Sequence, residues 1–182
     1  MSESDRELAA GTLLVASPLL VDPNFYRTVV FVLQHDLDGA VGVVLNRPSE
    51  EPVDSHLPEW TRRLEDPPVI FVGGPVDRAV AIGLVRSDRP VEPTALGGVG
   101  MVDLGSDPAA GTPGPVRVFS GYAGWGPGQA EAEMAEGAWM VLDAHPDDVF
   151  SQAPEDLWSA VLRRQGGRLA MLATFPADPS MN

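Results

Sequence analysis

Short runs of β-branched and aromatic residues, each closed off by proline or glycine, fill the first two thirds of this 182-residue chain. Such punctuation leaves little room for long helices and calls for a sheet of short strands. Thr12–Ala16 reads as a buried strand ended by Ser17-Pro18, and Asp22-Pro23-Asn24 carries turn chemistry. Residues 27–35 form a second strand, Asp36-Leu37-Asp38-Gly39 a hairpin turn, and residues 40–45 the return strand. Asn46-Arg47-Pro48 ends that strand, because proline cannot donate to a central ladder. Further strands are expected at Val69–Val72, 79–85, 98–104, 116–120 and 138–142.

Helical signals come singly between these runs. Leu57, Trp60, Thr61 and Leu64 fall at helical spacing within 53–64, and Pro67-Pro68 stops the pattern. A helix over 127–136 follows a glycine-rich stretch, 146–150 is a short turn or helix, and 154–162 is amphipathic with Gly166-Gly167 as its stop. Residues 168–175 are apolar and ambiguous between strand and helix. Adjacent antiparallel strands with helices inserted one at a time predict an α+β fold, largely an antiparallel or mixed sheet. The length suits a single compact domain over 11–182, preceded by a disordered or weakly ordered acidic segment, 1–10.

Composition removes much chemistry. All twelve basic residues are arginine and cysteine is absent, so Schiff-base, P-loop-lysine, thiolate and disulfide chemistry are closed. His35, His56 and His145 fall in no spaced ligand motif, so no metal and no cofactor is expected. The polar N-terminal segment lacks the basic and apolar regions of a secretory signal, and no apolar run reaches the ~20 residues of a membrane helix. A cytoplasmic chain without membrane contact is the expectation. A formal net charge of −14 opposes the phosphate contacts that supply most non-specific DNA affinity, so direct nucleic-acid binding is not expected. The adjacent pairs Arg62-Arg63 and Arg163-Arg164 read as solvated helix faces.

The richest motif is Gly121-Tyr122-Ala123-Gly124-Trp125-Gly126-Pro127-Gly128-Gln129, directly before a helix carrying Glu131 and Glu133. Pro127 suits a first helical position, and Gln129 can cap backwards. Two readings stand side by side. In one, Trp125 fills the core, the glycines turn the chain and Gln129 caps. In the other, Gly124, Trp125, Gly126, Gly128 and Gln129 contact an anion at the helix start. Gln129 and Glu133 share a helix face, and Glu133 or His35 is the candidate acid or base. Asn46 and Arg47 sit at a strand end, where an arginine fork suits carboxylate or phosphate. Gly73 and Gly74 either turn tightly or form a second wall. A single cleft built from Asn46-Arg47, Gly73-Gly74 and 124–129 is the expected site for a small anionic ligand or a protein partner.

The ordered set Gly11-Thr12-Leu13-Leu14-Val15-Ala16, Asp22-Pro23, Thr28-Val29-Val30, His35, Gly39-Ala40, Asn46-Arg47-Pro48, Gly73-Gly74-Pro75-Val76 and Gly121 to Gln129 resembles the bacterial AlgH/YqgE family. The resemblance runs from about Gly11 onward. It implies a cytosolic α+β protein carrying a transcriptional-regulator label, and it brings no catalytic residues to carry over. Ala130 stands where the family usually has leucine. With this net charge and no helix-turn-helix pattern, any regulatory role is expected to be indirect, through a ligand or a protein. An anion-binding protein or an enzyme using Arg47 with Glu133 or His35 is the alternative.

Overall fold

Leu13 and Val15 point to one face of the first strand, β1 (Thr12–Ala16), while Leu14 and Ala16 point to the other, and both faces are buried. The same alternation continues in β2 (Val29–Asp36), where Val29 and Phe31 oppose Val30 and Val32. A strand apolar on both sides must lie between two covering layers, and the period of two separates its side chains between them. The computed structural model describes residues 6–88, 92–108 and 114–177.

The remaining strands are β3 (Gly39–Val44), β4 (Pro48–Pro52), β5 (Val69–Val72), β6 (Val76–Arg86), β7 (Glu92–Pro93), β8 (Val99–Val102), β9 (Val116–Trp125) and β10 (Trp139–Asp143). They form one curled sheet in the order β10-β1-β2-β3-β9-β6-β8-β7, with β4 and β5 branching beside β9. All pairings are antiparallel except β5 with β9. The fold is therefore α+β with a largely antiparallel sheet. The hairpin turn expected at 36–39 joins β2 to β3, with Asp36 opposite Gly39.

The helices are short: α1 (Gln129–Ala135), α2 (Pro146–Val149), α3 (Leu157–Gln165) and α4 (Gly167–Leu172). Trp158, Val161 and Leu162 of α3 and Leu169 of α4 cover one face of the sheet. Ala130 and Met134 of α1, with Leu20 and Phe25 from the loop after β1, cover the other. A third apolar cluster joins Trp60 and Val53 to Val85, Val116 and Val118, and the Trp60 indole donates to the carbonyl of Leu104 at 3.0 Å.

Several expectations need correction. The helix expected over 53–64 is two 3-10 turns, Val53–Ser55 and Pro58–Arg63. Between them Leu57 adopts φ −131° and ψ 64°, because the proline after it disfavours the helical region. Arg62-Arg63 accordingly close a 3-10 turn, not an α-helix. Pro127 is not a first helical residue: Gly128 at φ 72° breaks the path, and α1 starts at Gln129. The ambiguous 168–175 is helical through Leu172, since Gly166 at φ 72° and ψ −170° turns the chain into a new helix. A strand also forms where none was expected. β4 has proline at both ends and pairs only with β5, which suits an edge that need not donate throughout.

Of the segment 1–10, residues 6–10 are described and partly packed. Leu8 is buried, and Arg6 reaches Asp143 at 3.1 Å. Thr112-Pro113-Gly114-Pro115 carries turn chemistry in the sequence, and its first two residues lie outside the described residues. Among the described residues, no helix is long and apolar enough to cross a membrane.

Candidate functional site

β9 is the strand from which the site is built. Its last residues pair with β3, as Ala40 opposite Trp125 and Gly42 opposite Ala123. Its middle pairs with β5 through Phe71 opposite Phe119 and Val72 opposite Ser120. β3 and β5 thus share one edge of β9, and Gly73-Gly74 sits at the fork. Gly73 donates to the Ser120 carbonyl and accepts from the Val44 amide, both at 2.8 Å. A Cβ on Gly73 would meet the Gly121 oxygen at 2.3 Å, and one on Gly74 the Tyr122 carbonyl carbon at 2.1 Å. These glycines are fixed by close backbone approach.

Just beyond the fork β6 arches away from β9. The register slips between Val76 and Ala81, Asp77 takes φ 41°, and the Ser120 hydroxyl bonds the Arg78 carbonyl at 2.6 Å. The arch lifts Arg78 to face Arg47 across a hollow of about 290 Å3, whose walls include Asn24, Val72, Gly74 and Pro75. Arg47 donates to the carbonyls of Tyr26 at 2.9 Å and Pro23 at 3.3 Å, and burial holds its guanidinium below the ordinary arginine value. No Asp or Glu lines this hollow, and neither arginine forms an ion pair among the described residues. A second hollow of about 450 Å3 shares Val72 and Arg78 with the first, and Leu57, Ile70, Val118 and Phe119 give it apolar walls.

Asn46 lies beside Arg47 with its amide spent on the backbone. It accepts from the Val29 amide and donates to the Arg27 carbonyl, each at 2.9 Å, standing in for strand partners where β2 begins. The glycine-rich motif belongs elsewhere. Residues 124–129 do not line the Arg47 hollow. Phe25 packs against Trp125 with ring centroids 6.0 Å apart and against Trp139 at 5.4 Å, and its loop lies between the motif and Arg47.

The motif forms a closed hydrogen-bond network. Gln129 Oε1 accepts from the Gly126 amide and Gln129 Nε2 donates to Glu133 Oε1, both at 3.0 Å. Glu133 Oε2 takes both indole N–H groups, from Trp125 and Trp139, at 2.9 Å each. The two rings meet edge to face with centroids 5.6 Å apart. Gly128 and Gly126 are exposed, and α1 has only seven residues. His35 pairs with Glu131 at 2.6 Å, not with Glu133. Glu131 is held below the ordinary glutamate value by a backbone hydrogen bond at its own amide and by His35.

Of the expected site residues, the structure brings Arg47 and Gly74 together, with Gly73 directly behind and Asn46 as a backbone prop. It sets Gly124, Trp125, Gly126, Gly128, Gln129, Glu133 and His35 apart from them. Arg78 was missed. Its signal in the sequence is slight: a cation three residues after Gly-Gly-Pro, at the mouth of a strand. Among the described residues no group of His, Asp and Glu could hold a metal ion.

Comparison with known proteins fits this architecture. Residues 13–170 match DUF179, described as AlgH-like. A UPF0301 protein of Streptomyces coelicolor is 50% identical over 182 residues, covering 94% of each chain. One from Thermobifida fusca is 49% identical over 193 residues, covering 98% of each. Among solved structures, a Corynebacterium diphtheriae protein superposes with a TM-score of 0.87 at 32% identity, covering 93% of this chain and 94% of its own. The solution structure of the AlgH protein from Pseudomonas aeruginosa gives 0.68 at 33% identity, covering 97% and 98%. The chain belongs to the AlgH-like family.

Proposed function

We propose that this protein binds a small acid in the hollow between Arg47 and Arg78, and that any regulatory effect runs through that ligand and not through direct contact with DNA. One observation carries the reading. In a chain with 26 acidic and 12 basic residues, two arginines face one hollow that no carboxylate lines. A partly desolvated cation without a counter-ion is an unfavourable arrangement that an anion relieves. Arg47, held by two backbone carbonyls, is pre-set in direction. Arg78, on the exposed arch, is free to close on the ligand. The adjoining hollow, apolar along Leu57, Ile70, Val118 and Phe119 and with Glu51 paired to His56 in its lining, favours an acid with a hydrocarbon extension over a bare inorganic ion.

An enzymatic reading has less support. Glu133 is engaged with two indoles and Gln129, His35 with Glu131, and neither lines the hollow.

Thermal unfolding with millimolar phosphate, acetate, succinate and octanoate tests the proposal. A ligand present at a hundredfold excess over its Kd stabilises by about 2.7 kcal/mol, a shift of roughly 5–11 °C for a chain this long. Octanoate is expected to outperform acetate, and Arg78→Gln, at an exposed position, to abolish the shift while leaving the unliganded Tm in place. No shift with any of these anions, or an undiminished shift in Arg78→Gln, refutes the site.

A further inference from the structure

Strand β10 is an edge of the sheet, with β1 on one side and, among the described residues, no strand on the other. Its ladder shows which groups face outward. The Ser17 amide donates to the Ala138 carbonyl at 2.8 Å, and the register runs without a bulge from Ala16 opposite Trp139 to Thr12 opposite Asp143. Bonded pairs alternate in an antiparallel ladder, so Met140 and Leu142 bond to β1, while Trp139, Val141 and Asp143 turn their N–H and C=O groups outward. The Asp143 carbonyl is taken by Arg164 at 3.1 Å. The outward groups of Trp139 and Val141 have no partner among the described residues.

Edges are normally protected by proline, charge or shortness. The opposite edge of this sheet is: β7 is the two residues Glu92–Pro93. β10 carries a charge only at its last residue, Asp143, and the four residues before it have neither proline nor charge. It forms the floor of a trench of about 630 Å3 with one wall from Met134 and Gly137 at the end of α1 and the other from Leu169, Leu172 and Phe175. The walls stand where the two layers covering the sheet overhang its edge. The second wall is anchored, since Arg27 donates to the Phe175 carbonyl at 2.9 Å and stacks over Trp158. Apolar side chains remain open at the rim, with Leu19 81% and Phe175 48% exposed.

The trench is also polarised. The charged side chains lining it are both arginines, Arg6 and Arg168, in a chain of net charge −14. Arg6 is tied to Asp143 and Gln165, which places it at the Asp143 end, whereas Ser17 and Leu19 mark the Trp139 end. Arg168 makes no ion pair among the described residues.

We infer that the trench is a docking site for an extended segment of a partner protein, which adds to the sheet as a strand beside β10. The segment bonds the backbone of Trp139 and Val141, places apolar side chains against both walls, and carries an acidic residue at the end that meets Arg168, since Arg6 already has Asp143 as its counter-ion. A second copy of this chain fits less well, because it brings another −14 of charge to the same place.

A phage-displayed library of random twelve-residue peptides, selected against the full chain, reads this directly. The expected winners combine four or five consecutive β-branched or aromatic residues with Asp or Glu at one end. In a synthetic winner, binding is expected to weaken about tenfold or more in Arg168→Glu and in Phe175→Asp, both exposed positions. The amide protons of Trp139 and Val141 are expected to become protected from exchange on binding. Three outcomes overturn the inference: no enrichment, winners without the acidic end, or winners that leave those two amides unprotected. Concentration-dependent dimerisation that protects the same amides without peptide assigns the trench to a second copy and overturns it too. The anion site is untouched by any of these results, since Arg78→Gln leaves the trench intact.

Discussion

Exchanging the amide and the carboxylate of the α1 network separates an architectural motif from a ligand-binding one. In the native arrangement one N–H each from Gly126, the Gln129 amide and two indoles meets an oxygen of Gln129 or Glu133. Glu133→Gln keeps the shape and breaks the matching. Its single oxygen can still serve the indoles, but its NH2 then faces the NH2 of Gln129. Turning Gln129 over only moves the conflict to the Gly126 amide. Hydrogen bonds to a charged acceptor are worth about 1.5–3 kcal/mol, and water reaching the exposed Gln129 softens the clash, so the loss is about 2 kcal/mol. Glu133→Ala strands both indole N–H groups on residues only 6% and 4% exposed, and at about 1–3 kcal/mol each the cost is about 4 kcal/mol. For a chain of this length these losses lower Tm by roughly 4–8 and 8–16 °C.

The double variant Gln129→Glu/Glu133→Gln restores the matching. The carboxylate introduced at position 129 then accepts from Gly126 and from the new amide, with its charge on the first turn of α1, where it is favoured. Urea unfolding followed by tryptophan fluorescence is expected to place the double variant within about 1 kcal/mol of the native chain, with an unchanged m value. Additive losses in the double variant, or a Glu133→Gln chain as stable as the native one, would falsify the assignment of the motif to architecture.

Two further outcomes follow from the same geometry. Glu131 has its folded value depressed below 4.5, so its contribution to stability is present above that pH and is lost as pH falls through the folded value. Glu131→Gln should therefore lower stability near neutrality and converge with the native chain in acid, which flattens the acid limb of a stability-against-pH curve; an unchanged limb contradicts the His35–Glu131 contact. Gly74→Ala, whose Cβ would meet the Tyr122 carbonyl carbon at 2.1 Å, should cost more than about 3 kcal/mol or prevent folding. Gly128→Ala, at φ 72° but with open space around the Cβ, should cost only about 1 kcal/mol. Equal losses by chemical denaturation would show that contact with β9 is not what the first glycine serves.

The architecture was more legible than the site. Strand limits at Thr12–Ala16 and Val69–Val72 follow from β-branched runs with turn chemistry beside them, and these are local signals. The two 3-10 turns at 53–63 were hidden by apolar spacing that fits a helix, until Pro58 restricted Leu57. Asn46 was noticed for the right reason, a polar group at a strand end, but whether its amide faces a ligand or the amide of Val29 depends on a strand 17 residues away. Gly73-Gly74 likewise signalled a close approach without saying to what. Arg78 gains its meaning only from the arch in β6, which exists because Val76 and Ala81 pair with β9 out of step. The grouping of Arg47 with residues 124–129 failed because the loop around Phe25 lies between them.

β9 has a bearing on how the chain is made. It joins β3 on one flank to β6 on the other, and it is synthesised after both. From the end of β3 at Val44 to the end of β9 at Trp125 the ribosome needs roughly 4–16 s at about 5–20 residues per second. Throughout that interval the nascent hairpin of β2 and β3 displays an unfilled flank at Ala40, Val41 and Gly42, and from Arg86 onward β6 displays another with Leu84 and Val85. Neither half can close before the keystone strand arrives, so interrupted translation leaves a sticky fragment, not a small stable domain.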